Sequence, residues 1–368
     1  MKRIIYMISL LALLSCDKES RPGRAGGAIE FSVMTPDMLA TKAEVMKDEL
    51  TNTVNTTDIY IYGAKSSGST SETLVDAPGA QLIYNETTKV WNPQVWVYED
   101  YSYRQSNLQW EDNFYYRFYG FAYSANANTS GNGSIAITNN TYGRQFTVTQ
   151  PESGDGTNTV DYLLSYLVNV NPNTFPLVPI HLEHAMARVD VDVQIANAMF
   201  VKNDSDQITG CHVNNISVSI SGIRRKANML CLQPKQYGEE GSHTWYVTHD
   251  AAATTATYTA GSIDNTAENL EGAQNGISPD MSFIAVPVTQ DEMEDYVLTL
   301  RYHGNLSNTE YSYEFPLKDY SPKGWVNGHK VKYVLTIDNS IHLTGKILDY
   351  EDVDYIEAVI VPDIPGTK

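Results

Sequence analysis

Apolar residues recur at every second position along much of the chain. That period constrains the fold more than any other feature, because it belongs to a strand with one face on a core and one in water. Residues 185–195 carry it most cleanly: Ala185, Ala187, Val189, Val191, Val193 and Ile195 point one way, and Met186, Arg188, Asp190, Asp192 and Gln194 the other. Ile29, Phe31 and Val33 alternate with Glu30 and Ser32, and residues 58–62 read Asp-Ile-Tyr-Ile-Tyr. Residues 115–123 form an aromatic strand broken by Arg117 and Gly120, and 159–170 are mostly apolar. Further strands are expected around Ile216, Val218 and Ile220, at 281–288 (ending near Pro287), and at 296–302, 311–317 and 331–337. No run of ten or more residues has helical spacing. Segments 64–80, 124–134 and 250–278, rich in Ser, Thr, Ala, Asn and Gly, read as loops. Many short strands with regular turn signals predict an all-β protein built of sandwiches.

The N-terminus carries an address. Lys2 and Arg3 precede an apolar run at 4–14 that ends in Leu13-Leu14-Ser15-Cys16. The run is too short for a membrane span, which needs about 20 residues, and fits a signal peptide over residues 1–15. A small residue directly before cysteine is a bacterial lipobox, so Cys16 is expected to be acylated (a palmitate-type modification) and to become the first mature residue. Residues 16–27 then form a tether rich in charge, Gly and Pro. The roughly 340 residues beyond suffice for two domains. Pro172, Pro176 and Pro179 place the boundary, giving domains at 28–175 and 176–368.

The net charge of −19 disfavours nucleic acid as a partner. Tyrosine outnumbers phenylalanine 25 to 9, a bias that suits an exposed β protein touching partners. Cys211 and Cys231 flank an expected hairpin, so they read either as one disulfide or as two buried thiols. His181 and His184 fall on opposite faces of a strand and cannot share a metal there. The acidic runs Asp349, Glu351, Asp352, Asp354 and Asp291, Glu292, Glu294, Asp295 lack the spacing of a calcium loop and read as solvated turns. With no phosphate loop or nucleophile elbow, neither enzyme chemistry nor a cofactor is expected. A second functional reading is glycan binding at the surface, with Trp91, Trp96, Trp110, Tyr98, Tyr101 and Tyr103 as a stacking platform.

Four ordered features carry a resemblance that spans nearly the whole chain. They are the lipobox with residues 28–34 and Thr41-Lys42-Ala43; the aromatic strand 115–121 with Asp161-Tyr162-Leu163-Leu164; His184-Ala185-Met186-Ala187-Arg188-Val189; and Trp325-Val326-Asn327-Gly328-His329-Lys330-Val331. Together they resemble the fimbrillin-like lipoproteins of Bacteroidetes, the type V pilus subunits and their accessory proteins. The charged residues 17–20 resemble the surface-export signal of lipoproteins from the same group. The resemblance implies two tandem transthyretin-like β-sandwiches on a surface-exposed outer-membrane lipoprotein. It also implies assembly by strand exchange: a trypsin-like protease cuts behind the first strand, here after Lys42 and before Ala43, with Lys47 a second acceptable site. The strand of Ile29, Phe31 and Val33 leaves, and a neighbour's strand refills its groove. The candidate donor is the C-terminal tail with Ile356, Ala358 and Ile360 on one face; pairing of that tail within its own domain is the alternative. Partners would be other pilus subunits, the outer membrane through the lipid, and a ligand on a host or bacterial surface. Many family members carry arginine in the cleavage loop, where this chain has Lys42, while Arg21 and Arg24 precede the strand. Cutting at those arginines would leave the strand in place, the behaviour of a non-polymerising anchor or cap.

Overall fold

The computed structural model describes residues 26–34, 57–67, 70–85, 87–99, 102–106, 108–124, 133–140, 143–165, 168–170, 177–231, 245–249, 255–263, 281–304, 309–337 and 341–349. Among them the structure is β throughout, with only 3-10 turns at Asn197–Met199, Gln290–Met293 and Leu317–Tyr320 interrupting it.

The first half closes on itself. A hydrogen-bonded circuit runs through β1 (Phe31–Met34), β12 (Val178–His184), β10 (Tyr162–Ser165), β6 (Tyr115–Ser124), β2 (Thr57–Ser67), β3 (Thr70–Asn85) and β4 (Val90–Glu99), and returns to β1 where Phe31 faces Trp91. β5 (Ser102–Ser106) extends β4 as a hairpin, and β11 (Val168–Val170) pairs with β6. The interior holds Ile29, Phe31, Ile61, Trp110, Tyr116, Phe118 and Ile180, among others.

The second half stacks smaller sheets on another core. One sheet orders β20 (Met281–Ala285), β13 (Ala187–Ile195), β23 (His329–Ile337) and β24 (Ile341–Asp349). A second orders β22 (Glu310–Pro316), β21 (Val297–Gly304), β16 (Val213–Arg224), β19 (Thr255–Ile263) and β9 (Ser153–Gly154). A third orders β18 (Trp245–Thr248), β17 (Lys226–Cys231), β8 (Gly143–Thr149) and β7 (Ser134–Asn140). β14 (Phe200–Lys202) and β15 (Ile208–Cys211) form a hairpin.

The strand pairings cut across the boundary expected near residue 175. β12 lies beyond it in sequence yet belongs to the first circuit, while β7, β8 and β9 lie before it and pair with strands of the second half. The reason is visible in β6, which is buried on both faces from Phe118 to Ala122. Tyr116, Phe118 and Ala122 enter the first core; Tyr119 and Phe121 enter the second, where Phe121 lies 6.1 Å from Phe146 of β8. A strand that serves two cores couples the halves.

β13 behaves as its alternation predicts from Ala187 to Ile195, with every second side chain buried. Met186, expected in water, is fully buried. The ladder begins only at Ala187, so period two does not apply to the connection before it, where the Met186 carbonyl accepts from Gly328 N–H at 2.9 Å. The expected loop at 64–80 is largely strand, and that at 250–278 contains one. Residues 64–67 and 70–80 lie in the β2–β3 hairpin, with Lys65 facing Glu72, and residues 255–263 are β19, where Ala256, Tyr258 and Ala260 are buried. Both were hidden by composition: Thr pairs well in sheets, and Ala fills a core position against large neighbours. Segment 159–170, expected as one strand, is divided between β10 and β11.

Candidate functional site

The first strand closes the circuit, and its environment is the feature with functional content. Its approach is held on one side by residues 108–110: Gly26 N–H donates to Trp110 C=O at 2.8 Å, Trp110 N–H to Gly27 C=O at 2.9 Å, and Ile29 N–H to Leu108 C=O at 2.7 Å. On the other side β1 runs parallel to β12, in the register Phe31 to Val178, Ser32 to Pro179, Val33 to Ile180 and Met34 to His181. Val178 N–H donates to Glu30 C=O at 2.9 Å. The three apolar side chains point inward: Ile29 and Phe31 are fully buried and Val33 is 6% exposed. Glu30 and Ser32 are half-buried on the other face.

Phe31 stands edge-on to Phe118, centroids 5.2 Å apart at 89°. Phe118 is backed by Tyr116 (6.2 Å, 9°) and Trp110 (6.5 Å, 85°). Burial pushes the Tyr116 hydroxyl above its ordinary pKa, and that hydroxyl accepts from Glu111 N–H at 2.7 Å. Two glycines make room for this packing. A Cβ on Gly63 would sit 2.9 Å from Phe118 Cε1, and one on Gly120 would sit 2.4 Å from Ile180 Cγ2. Gly120 N–H also donates to the buried Ser165 Oγ at 2.6 Å. The walls of the seam — Gly63, Trp91, Leu108, Trp110, Phe118 and Ile180 — were not foreseen as a group. The only sequence signal was small residues set within aromatic strands.

Other expectations resolve differently. Trp91 and Trp110 belong to the core, so they cannot form an open sugar platform; the side chains of Trp96, Tyr98, Tyr101 and Tyr103 lie outside the described residues. The hairpin expected between Cys211 and Cys231 is not formed: β16 pairs with β19 and β21, whereas β17 pairs with β8 and β18. The chain changes sheets at Arg225, whose Nε donates to Gln150 C=O at 2.8 Å. Cys211 is buried, which pushes its thiol up, and the side chain of Cys231 is outside the described set. The acidic turn at 291–295 is a capped 3-10 turn. Thr289 N–H donates to Glu292 at 2.9 Å, Arg224 pairs with Glu292 at 3.1 Å, and Lys318 pairs with Glu294 at 3.2 Å. His184 pairs with Asp161. Among the described residues no group of His, Cys, Asp or Glu is arranged to hold a metal, and no helix is long and apolar enough to cross a membrane. Cys16, Lys42, Ala43, Lys47, Ile356, Ala358, Ile360 and the acidic run at 351–354 lie outside the described residues.

The fold and its seam define a class: a multi-sheet β protein in which the N-terminal strand completes a core. The fimbrillin-like family profile matches residues 41–349, and the chain belongs to that family. It is therefore a surface protein of pilus and adhesion biology. No curated protein matches it. Among solved structures, similar ones include a candidate cell adhesion protein from Bacteroides uniformis ATCC 8492, at 15% identity, covering 89% of this chain and 99% of that one, TM-score 0.42. Another, from Bacteroides ovatus ATCC 8483, has 14% identity, covers 90% and 100%, and gives a TM-score of 0.44. The fimbrial anchor protein Mfa2 from Porphyromonas gingivalis has 12% identity, covers 80% and 91%, and gives 0.28. At these values the likenesses add nothing to the family assignment.

Proposed function

We propose that this chain is a structural or adhesive subunit of a surface pilus, anchored in the outer membrane through lipid on Cys16 until a protease cuts after Lys42. Cleavage releases the strand of Ile29, Phe31 and Val33, and a strand from a neighbouring subunit takes its place. In this reading the two cores are tandem transthyretin-like sandwiches, and the tail with Ile356, Ala358 and Ile360 is the strand this chain donates. The observation that supports the reading best is the placement of an N-terminal segment, not an internal one, as the closing strand of a core. Full burial of each aliphatic or aromatic side chain is worth about 1.5–3 kcal/mol, so vacating three forfeits roughly 5–9 kcal/mol until they are replaced. A domain with a total stability of about 5–15 kcal/mol cannot persist long with such a gap, which drives refilling.

N-terminal sequencing of protein shed from the cell surface tests this. The mature chain should begin at Ala43, and replacing Lys42 and Lys47 together by Ala should leave a monomeric lipoprotein. Shed protein that begins at Pro22 or Ala25, with its first strand in place, would make the chain an anchor or cap and sink the polymerising reading.

A further inference from the structure

We infer that the seam selects a strand with an aromatic side chain at its centre, and that the strand refilling it comes from a different protein and not from a second copy's tail. This deepens the strand-exchange reading and rests on it. The central position is the demanding one. Phe31 is fully buried against Phe118, which Tyr116 and Trp110 support from behind. Phe118 itself occupies the space left by Gly63. Rings braced in this way cannot close around a smaller occupant, so a methyl group there leaves a cavity. Register is tightly set too: Phe31 faces Val178 on one neighbour and Trp91 on the other, and Val33 faces Ile180. A slip of one residue turns the strand's polar face inward.

The chain's own tail meets this requirement in no register. With Ile356, Ala358 and Ile360 inward, Ala358 takes the aromatic position. Centring on Ile356 brings Asp354 inward, and centring on Val359 brings Glu357 inward. Centring on Ile360 leaves an aliphatic residue flanked by Ala358 and Pro362, and proline removes a ladder N–H. The tail's aromatics do no better: Tyr355 is flanked two residues away by Val353 and Glu357, and Tyr350 by Leu348 and Asp352. Each register either leaves the pocket part empty or buries a carboxylate, which is heavily penalised. The occupant that fits reads aliphatic–x–aromatic–x–aliphatic, with no acid at the inward positions. The tail remains available to a groove of different shape on another subunit, so the chain takes a position in a mixed assembly and does not polymerise with itself.

The test uses the full chain carrying a site-specific protease sequence between residues 34 and 57, nicked after folding. Entry of a fluorescent peptide of residues 26–34 is followed by anisotropy. Unlabelled competitors are the same peptide, its Phe31→Ala and Phe31→Trp versions, and a peptide of residues 353–362. The Phe31→Ala and tail peptides should compete at least about 100-fold more weakly than the parent, and Phe31→Trp should compete far better than Phe31→Ala. A tail peptide within about threefold of the parent overturns the inference, as does a Phe31→Ala peptide equal to the parent. If the parent peptide itself never enters the nicked chain, strand exchange fails as a whole, an outcome distinct from entry without discrimination.

Discussion

Tyr333 shows how single polar atoms organise the second core. Its ring is fully buried, and its hydroxyl accepts from Trp325 Nε1–H at 2.8 Å while sharing a short contact of 2.5 Å with Ser321 Oγ. Trp325 is pinned in turn, because its backbone exchanges two hydrogen bonds with Val288, at 2.8 and 2.9 Å. Gly324, at φ +70°, permits that approach; a Cβ there would lie 2.1 Å from the Val288 carbonyl. Tyr333→Phe should therefore cost about 1–3 kcal/mol in urea unfolding, since it strands two buried polar groups, and loss of less than half that would mean another acceptor serves Trp325. On β13, Val191→Asp should abolish cooperative unfolding of the second half by placing a charge among fully buried apolar side chains. Asp190→Asn, nearly silent if position 190 simply faced water, should instead lose about 0.5–1 kcal/mol. The Asp190 carboxylate accepts from Arg188 at 2.9 Å and Ser282 at 2.7 Å and lies 3.8 Å from Lys330. Equal damage from the two substitutions would contradict the one-sided burial of β13.

At the scale of elements, β1 buries much through a short pairing. It has four ladder positions with β12 and one with β4, yet it delivers Phe31 to the centre of an aromatic cluster. Phe31→Ala should lower the stability of the intact chain by about 3–5 kcal/mol, while Glu30→Ala on the outer face should stay within about 0.5 kcal/mol. Chemical denaturation of both variants checks this, and a mild Phe31→Ala would show that the pocket collapses. The alternation that reveals this face was legible from Ile29, Phe31 and Val33 alone. Which strands receive it was not, because a parallel partner about 147 residues away leaves no local mark. The hairpin of β2 and β3 was lost for another reason: its Ser- and Thr-rich arms carry the composition of a loop, and only the ladder distinguishes them.

At the scale of the molecule, buried tyrosine sets a limit on alkaline stability. Burial holds the hydroxyls of Tyr258, Tyr296 and Tyr302 well above their ordinary value and pushes that of Tyr333 up to about 12. A raised folded pKa means the native state keeps protons that the unfolded chain loses above about pH 10. Stability from these groups is complete below that pH and is lost as pH rises toward the folded values. Tyrosinate absorbance should therefore rise in two stages, exposed tyrosines first and the buried group together with loss of β circular dichroism above about pH 10. A single early rise with structure intact would rule this out. Attachment belongs to the same scale. Cys16→Ala should abolish lipid labelling and release the protein from the outer-membrane fraction, and a variant that still fractionates like wild type would remove the anchor from the proposal.

Period two along the chain was enough to determine an all-β protein, to orient β13 and β16, and to mark Ile29, Phe31 and Val33 as one apolar face, because side-chain direction in a strand is a local property. The lipobox and the ordered motifs pointed to the fimbrillin-like family, which the profile over residues 41–349 established. Tertiary structure alone decided that β6 feeds two cores, that β7 to β9 cross to the second half and β12 to the first, and that the central pocket of the seam is built for an aromatic ring. Those outcomes depend on pairings between strands far apart in sequence and on the volumes left by Gly63 and Gly120, and neither quantity is written in the periodicity of any one segment.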